Sequence, residues 1–188
     1  MDLILCNYCN LKIVNDDYLL CCHCDKNIHI KCLKRPGTPG DLFGDVFFTF
    51  TCIDCSNTGK EVFLREKMTW LIAIVLAIYN LTITSNGLSH YGYFHWRTHI
   101  ANFIEKNWCN LFPSSMYIIM LKIILIHVIY TCFYCRTRKK KWIGNVSGSL
   151  SHHRPYFFKS GLEVIKEAGW WKLTHNQTPK FYSELCIF

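Results

Sequence analysis

The chain has 188 residues, twelve cysteines and a formal net charge of +8, a length that admits one or two small domains. Charge is uneven: residues 1–60 hold six Lys and Arg against seven Asp and Glu, and residues 61–188 hold fifteen against six, so the larger part is basic and suits an anionic partner or a solvated basic face. Met1-Asp2-Leu3-Ile4-Leu5 lacks the basic start and long apolar run of a signal peptide, so a secreted disulfide framework is not expected and the cysteines point to metal in a reducing compartment.

In chain order, Cys6-x2-Cys9 comes first, followed by Cys21-x2-Cys24, His29-x2-Cys32 and Cys52-x2-Cys55. Zinc takes four soft ligands in a tetrahedron, and a two-residue spacer lets one tight turn present two of them, so four pairs make two closed sites. Cys22 and His23 lie inside the pattern, but only Cys21 keeps the two-residue spacer to Cys24. The segment is poor in apolar residues, so metal binding is expected to supply most of its folding free energy, on the order of 10 kcal/mol per site.

With a lone histidine as the fifth ligand, this order resembles the C4HC3 pattern of the PHD finger. The resemblance implies a cross-brace, with Cys6, Cys9, His29 and Cys32 on one zinc ion and Cys21, Cys24, Cys52 and Cys55 on a second. Between the first two pairs, Lys12-Ile13-Val14-Asn15-Asp16-Asp17-Tyr18-Leu19-Leu20 reads as two short strand pieces around a turn. PHD fingers receive a histone tail beside this segment, which implies Asp16, Asp17 and Tyr18 as candidate contacts for a lysine or arginine. Turn-forming acids that face water are the competing reading. Phe50 stands two residues before Cys52, where the family commonly has Trp, and is read as packing.

Val46-Phe47-Phe48-Thr49-Phe50-Thr51 alternates like a strand, and Ser56-Asn57-Thr58-Gly59-Lys60 reads as the boundary between the halves. Apolar residues at helical spacing then predict a helix over residues 61–81 and a second over 96–111, ended by Pro113. Trp142, Val146 and Leu150, four apart, predict a third. Tyr156-Phe157-Phe158-Lys159 and Gly169-Trp170-Trp171-Lys172-Leu173 fit a hairpin with a long tip. Three helices and a two-stranded wing make a winged helix, and the third helix and wing resemble those of forkhead-type domains. The expected fold is therefore a small zinc-stabilised α+β PHD-type finger over residues 1–58, followed by a mainly helical winged-helix domain over residues 61–180.

Residues 116–135 interrupt that domain. The run from 117 to 134 is apolar apart from Lys122 and His127, and Arg136, Arg138, Lys139, Lys140 and Lys141 follow. As a transmembrane helix its insertion is marginal, with roughly 3 to 6 kcal/mol gained from ten Ile, Leu, Val and Phe residues and about 3 lost at Lys122. A retained intron is a second reading: Met116-Tyr117 can be encoded with a GT, and Phe133 to Arg136 as a pyrimidine-rich run ending in AG, so that excision keeps the frame. A buried extra helix is a third.

The finger, the run from Pro39 to Cys52, the segment Thr69-Trp70-Leu71 and the run from Gly169 to Asn176 together resemble the N-terminal half of the cysteine-rich protein 2-binding protein family, the lysine acetyltransferase 14 subunits of the ATAC histone acetyltransferase complex. The resemblance implies a nuclear, chromatin-docking chain with histone tails and acetyltransferase-complex subunits as partners. Relatives carry a GNAT domain after a long linker. None is expected before Phe188, so no catalytic residue is assigned. Residues 136–180 hold ten Lys and Arg against two Glu, which makes Arg138, Lys139, Lys140, Lys141, Lys159 and Lys172 candidates for sequence-independent DNA contact. His90, His95, His99, His152 and His153 lack a nearby nucleophile or carboxylate and are read as surface or packing groups. The alternatives are a RING-like ubiquitin ligase, or a membrane-tethered zinc-finger protein if the apolar run spans a bilayer.

Overall fold

A computed structural model describes residues 4–14, 17–34, 39–113 and 141–185. The insert at residues 116–135, with its membrane and intron readings, lies outside them. Among the described residues no helix is long and apolar enough to cross a membrane. The chain divides into two compact units, residues 1–66 with 178–188, and residues 67–177.

In the first unit, strands β1 (Tyr18–Leu20) and β2 (Asn27–His29) pair antiparallel with Leu19 opposite Ile28. Both side chains are buried, as the period-2 alternation of a half-buried hairpin requires. Strands β3 (Phe48–Thr51) and β4 (Val62–Arg65) form a second antiparallel pair. Phe50 opposes Phe63 there, and the two rings stack at 5.4 Å between centroids. Phe50 is fully buried, which agrees with its reading as a packing residue. Behind this pair the Arg65 guanidinium donates both of its terminal nitrogens to the Asp45 carboxylate, at 2.5 and 2.6 Å, and lies 3.9 Å from the Phe48 ring centroid.

Residues 62–65 correct the sequence reading in two respects. They are a strand, not the start of a helix, because pairing with β3 buries Phe63 while the neighbouring side chains stay partly exposed. Residues 56–60 are thus part of the connection from β3 to β4 rather than a domain boundary. The first unit also regains the end of the chain, where helix α6 (Pro179–Glu184) buries Pro179 and Tyr182. Proline at the first helical position is pre-set for that role.

The second unit opens with helix α1 (Trp70–Thr84), where the Thr69 hydroxyl accepts the Ile72 N–H at 3.3 Å as an N-cap. Residues 71–78 of α1 are all buried, so it forms the core on every side. Strand β5 (Phe94–His95), absent from the sequence reading, precedes a π-helical turn at Trp96–Ala101. Helices α2 (Asn102–Lys106) and α3 (Trp108–Leu111) then replace the expected single helix. The break falls at Asn107, whose side-chain amide donates to the Phe103 carbonyl at 2.9 Å and competes with the helical ladder. Helix α4 (Trp142–His152) buries Trp142, Val146 and Leu150, the stripe that the spacing predicts.

Strands β6 (Phe158–Ser160) and β7 (Trp170–Leu173) form the wing, and the sheet order is β5-β7-β6. The tip between them holds one turn of helix, α5 (Leu162–Ile165). Gly169 enters β7 with φ +95°, and a Cβ there would stand 3.0 Å from His95 and Trp96 side-chain atoms. Glycine is therefore required on both counts. Phe94 is fully buried at the meeting of β5 and β7. Replacing it with Ala is expected to destabilise the second unit by about 3–5 kcal/mol, through lost burial and the cavity left behind. Urea denaturation of the purified chain measures this, and zinc content should stay unchanged.

Candidate metal centres and contact surfaces

Each Cys-x2-Cys pair of the first unit sits on its own tight turn. After Cys6 and Cys9 the chain turns at Asn10, with φ 57° and its N–H on the Cys6 carbonyl at 2.8 Å. After Cys21 and Cys24 it turns at Asp25, with φ 55° and its N–H on the Cys21 carbonyl at 3.2 Å. Asn and Asp are the side chains that tolerate this left-handed conformation best after glycine. Short 3-10 turns at Ile30–Cys32 and Ile53–Cys55 deliver the remaining ligands.

The turns bring together two groups, Cys6, Cys9, His29 and Cys32, and Cys21, Cys24, Cys52 and Cys55. Within each group the donor atoms all lie within 4.8 Å of one another. A zinc tetrahedron with bonds of about 2.3 Å places sulfurs about 3.8 Å apart, and Cys24 Sγ is 3.6 Å from Cys52 Sγ. His29 turns its Nδ1 to the first site, 3.4 Å from Cys9 Sγ and 3.8 Å from Cys32 Sγ. Both tetrads fit a zinc ion, and their seven cysteines are free thiols. Cys22 is exposed, 3.5 Å from the Thr51 hydroxyl and outside both groups, as its spacing requires.

The surroundings of the sulfurs favour thiolates at one ligand of each site. Burial pushes the Cys6 thiol up, but backbone donors from His29, Tyr8 and Cys9 outweigh it and bring the group down to about 6. Cys21 also falls to about 6, against burial, through the N–H groups of Cys52, His23 and Cys24. Their sulfurs accept the His29 and Cys52 N–H groups at 3.4 Å. The opposite ligands are raised: Cys32 to about 11 by burial and by its bonds with Cys9 and Cys6, and Cys55 to about 12 by its bond with Cys24 and by burial. Clustered thiols resist ionising together, and a bound dication removes that conflict.

Of the peptide-contact candidates, Asp16 lies outside the described residues. Asp17 is exposed, and its carbonyl accepts the Ile30 N–H at 3.1 Å. Tyr18 opens β1 and is half-buried, with Lys180 of α6 against its ring, a partner that no sequence signal indicated. Of the basic candidates, Arg138, Lys139 and Lys140 also lie outside the described residues. Lys141 is exposed at the start of α4. Lys159 and Lys172 stand directly opposite one another on β6 and β7, and the Lys172 ammonium lies 4.3 Å from the Tyr93 ring centroid. Gly144 and Gly148 leave open space along α4. Of the candidate histidines, His90 and His152 are exposed and His95, His99 and His153 half-buried; His95 Nδ1 accepts the Thr98 N–H at 3.4 Å, and the rings of His90, His95 and His99 lie 5.5–5.7 Å from that of Trp170.

The metal centres carry their own test. Chelation is expected to unfold the first unit and leave the helical signal of the second largely intact, as read by circular dichroism. Native mass spectrometry should count two zinc ions on the chain and on Cys22→Ser, and fewer on Cys52→Ala.

No protein-family model matches the chain. Over 143 residues, 76% of its length, it is 38% identical to cysteine-rich protein 2-binding protein of Mus musculus and Homo sapiens, and the match spans 15% of the length of those proteins. Over 115 residues, 58% of the chain, it is 32% identical to metal-response element-binding transcription factor 2 of Homo sapiens, spanning 18% of that protein. Among solved structures it is similar to the PHD2 and winged-helix domain of Polycomblike, with a TM-score of 0.66 and 22% identity over 95% of this chain and 82% of that one. The fold is accordingly a zinc-stabilised PHD-type finger followed by a winged helix.

Proposed function

From this likeness to cysteine-rich protein 2-binding protein, we propose that the chain is a nuclear, chromatin-associated and non-catalytic subunit of an ATAC-type histone acetyltransferase complex. The finger docks on histone tails, and the winged helix docks on DNA or on partner subunits. The observation that carries this reading is the pairing of two closed metal sites with a basic wing in one chain. Four protein ligands at each site leave no open position for an activated water, so the metals brace a surface rather than perform hydrolysis. Strand β1 pairs with β2 and, just past its end at Cys21, is bridged to Phe50 of β3, so a tail would lie against the start of β1, with Asp16, Asp17 and Tyr18 as its candidate contacts.

The wing supports a phosphate contact. Like charges directly opposite each other across a strand pair are destabilising, and Lys159 and Lys172 form such a pair. A bound phosphate relieves the repulsion. Arg138, Lys139, Lys140 and Lys141 lead into α4 and extend the same basic character in sequence. By contrast, α4 exposes a single Asn, Asn145, beside Gly144, Ser147 and Gly148, and carries no Arg or Gln, so it offers little of what a base-reading helix uses. The proposed contact is therefore electrostatic and indifferent to sequence.

Replacing both Lys159 and Lys172 with Ala is expected to weaken duplex DNA binding to a similar degree on unrelated sequences. It should also reduce the slope of log affinity against log salt by about 2. Fluorescence anisotropy across a salt series measures both. Sequence-selective loss would contradict the electrostatic reading, and an intact chain that binds no DNA would leave the wing as a protein interface. Affinity purification from nuclear extract should recover acetyltransferase-complex subunits, and their absence would remove the assembly role.

A further inference from the structure

Tyr18 begins β1, opposite the zinc ligand His29. The Lys180 ammonium donates to the Tyr18 hydroxyl at 3.2 Å and lies 4.6 Å from the centroid of its ring. That distance is within the range of a cation–π contact. The two residues are 162 positions apart in sequence, so a distant segment delivers the lysine. Lys180 is the second residue of α6, between the buried Pro179 and the half-buried Phe181, and one turn of helix with Tyr182 fully buried fixes where its stem begins. Both groups belong to the first unit.

We propose that Lys180 occupies the tyrosine face of the finger in cis, as a stand-in for a peptide lysine, and that an incoming histone tail must displace it. This rests on the proposed reading of histone tails by the finger and adds its regulation. The chemistry is that of one site with two competing cations. A tyrosine ring has two electron-rich faces and one hydroxyl; on this half-buried side chain Lys180 bonds the hydroxyl and lies within cation–π range of the ring. Lysine side chains, methylated or not, carry a cation that seeks the same face. Since Lys180 is tethered, it competes at a fixed effective concentration that dilution does not lower, and every tail pays that competition in apparent affinity. Modest competition suits a reversible gate: a partly exposed cation–π pair corresponds to roughly a two- to five-fold change in an equilibrium constant. Neutralising Lys180, for instance by acetylation, would open the site by the same factor.

The test uses the full zinc-loaded chain and synthetic histone H3 tail peptides, unmodified and lysine-trimethylated, titrated by calorimetry. Lys180→Ala is expected to bind the preferred peptide roughly two- to five-fold more tightly than the unsubstituted chain, by the same ratio as above, while Lys180→Arg keeps the cation and stays close to the original affinity. Zinc counting on each variant confirms that the finger is folded. By NMR, the Lys180 side-chain methylenes should carry an upfield ring-current shift from Tyr18 that disappears as peptide is added. Equal peptide affinity for the unsubstituted chain and Lys180→Ala would overturn occupation in cis and leave tail reading intact. Persistence of the ring-current shift in the complex would overturn displacement. A chain that binds no tail peptide, with or without Lys180, overturns both and makes the contact a brace between α6 and β1.

Discussion

A zinc ion needs four donors around one point, and no turn of the first unit supplies more than two of them. Every site must therefore be completed by a segment far along the chain, and the two sites interleave: pairs one and three close one tetrad, pairs two and four the other. This constraint positions everything else in the unit. Strand β1 is stretched between Cys9 of the first site and Cys21 of the second, β2 between Cys24 of the second and His29 of the first, and β3 runs directly into Cys52. A three-residue strand pair is not stable by itself in water. Here both of its ends are tied to metal ligands, and a small cluster of Leu19, Ile28, Phe50 and Phe63 fills the space between. Tyr18 therefore stands on a strand paired, at His29, with a metal ligand.

The second unit solves the same problem without metal. Its central helix α1 carries a run of buried residues from 71 to 78 rather than one apolar stripe, so neighbours cover it on all sides. Trp70, Trp108, Phe112 and Trp142 gather at its start, with ring centroids 4.8–6.1 Å apart. Aromatic packing of this kind adds about 0.5–1.5 kcal/mol per pair beyond burial. It links α1, α3 and α4 at one end, while Phe94 and Phe158 anchor the sheet. The wing is thus held at its base by a core.

Much of this was legible in the sequence where the governing physics is local. The spacing of the eight ligands is a property of tight turns, and it predicted two closed sites and the exclusion of Cys22, whereas the division into these two tetrads followed from the resemblance to the PHD pattern. The stripe Trp142, Val146, Leu150 and the second wing strand were read correctly from local periodicity, while the first wing strand lies at Phe158–Ser160, shifted toward the tip from the predicted Tyr156–Lys159. Residues 62–65 were misread because Leu64 happens to continue the periodicity of α1, whereas the deciding contact, Phe63 on Phe50, spans thirteen positions. The two-residue strand β5 has too few residues to show alternation. Nothing in the sequence connects Tyr18 with Lys180, nor Asp45 with Arg65: each is a pairing across the tertiary fold. Such pairings carry no periodic signature, and the Tyr18 pair is the one that bears on the contact surface.

The uneven charge of the chain acquires a physical meaning in this arrangement. A near-neutral finger gains little from long-range attraction to a polyanion, so on the proposed reading it selects its ligand by shape and by the ring of Tyr18. That contact is weak. A basic wing attracts phosphate at long range but discriminates poorly, with non-specific affinities of the order of 10⁻⁴ to 10⁻⁶ M at physiological salt. Where one chain engages both ligands, the first contact raises the effective concentration for the second, so two weak and individually unselective events would yield a longer residence where both ligands are present together. Chromatin presents both ligands side by side, a cationic tail beside a phosphate backbone. On that view a gate at Tyr18 need not be strong. A change of a few-fold in one arm of a bivalent contact is carried in full into the affinity of the whole, while the phosphate arm keeps the chain close enough for the tail to compete.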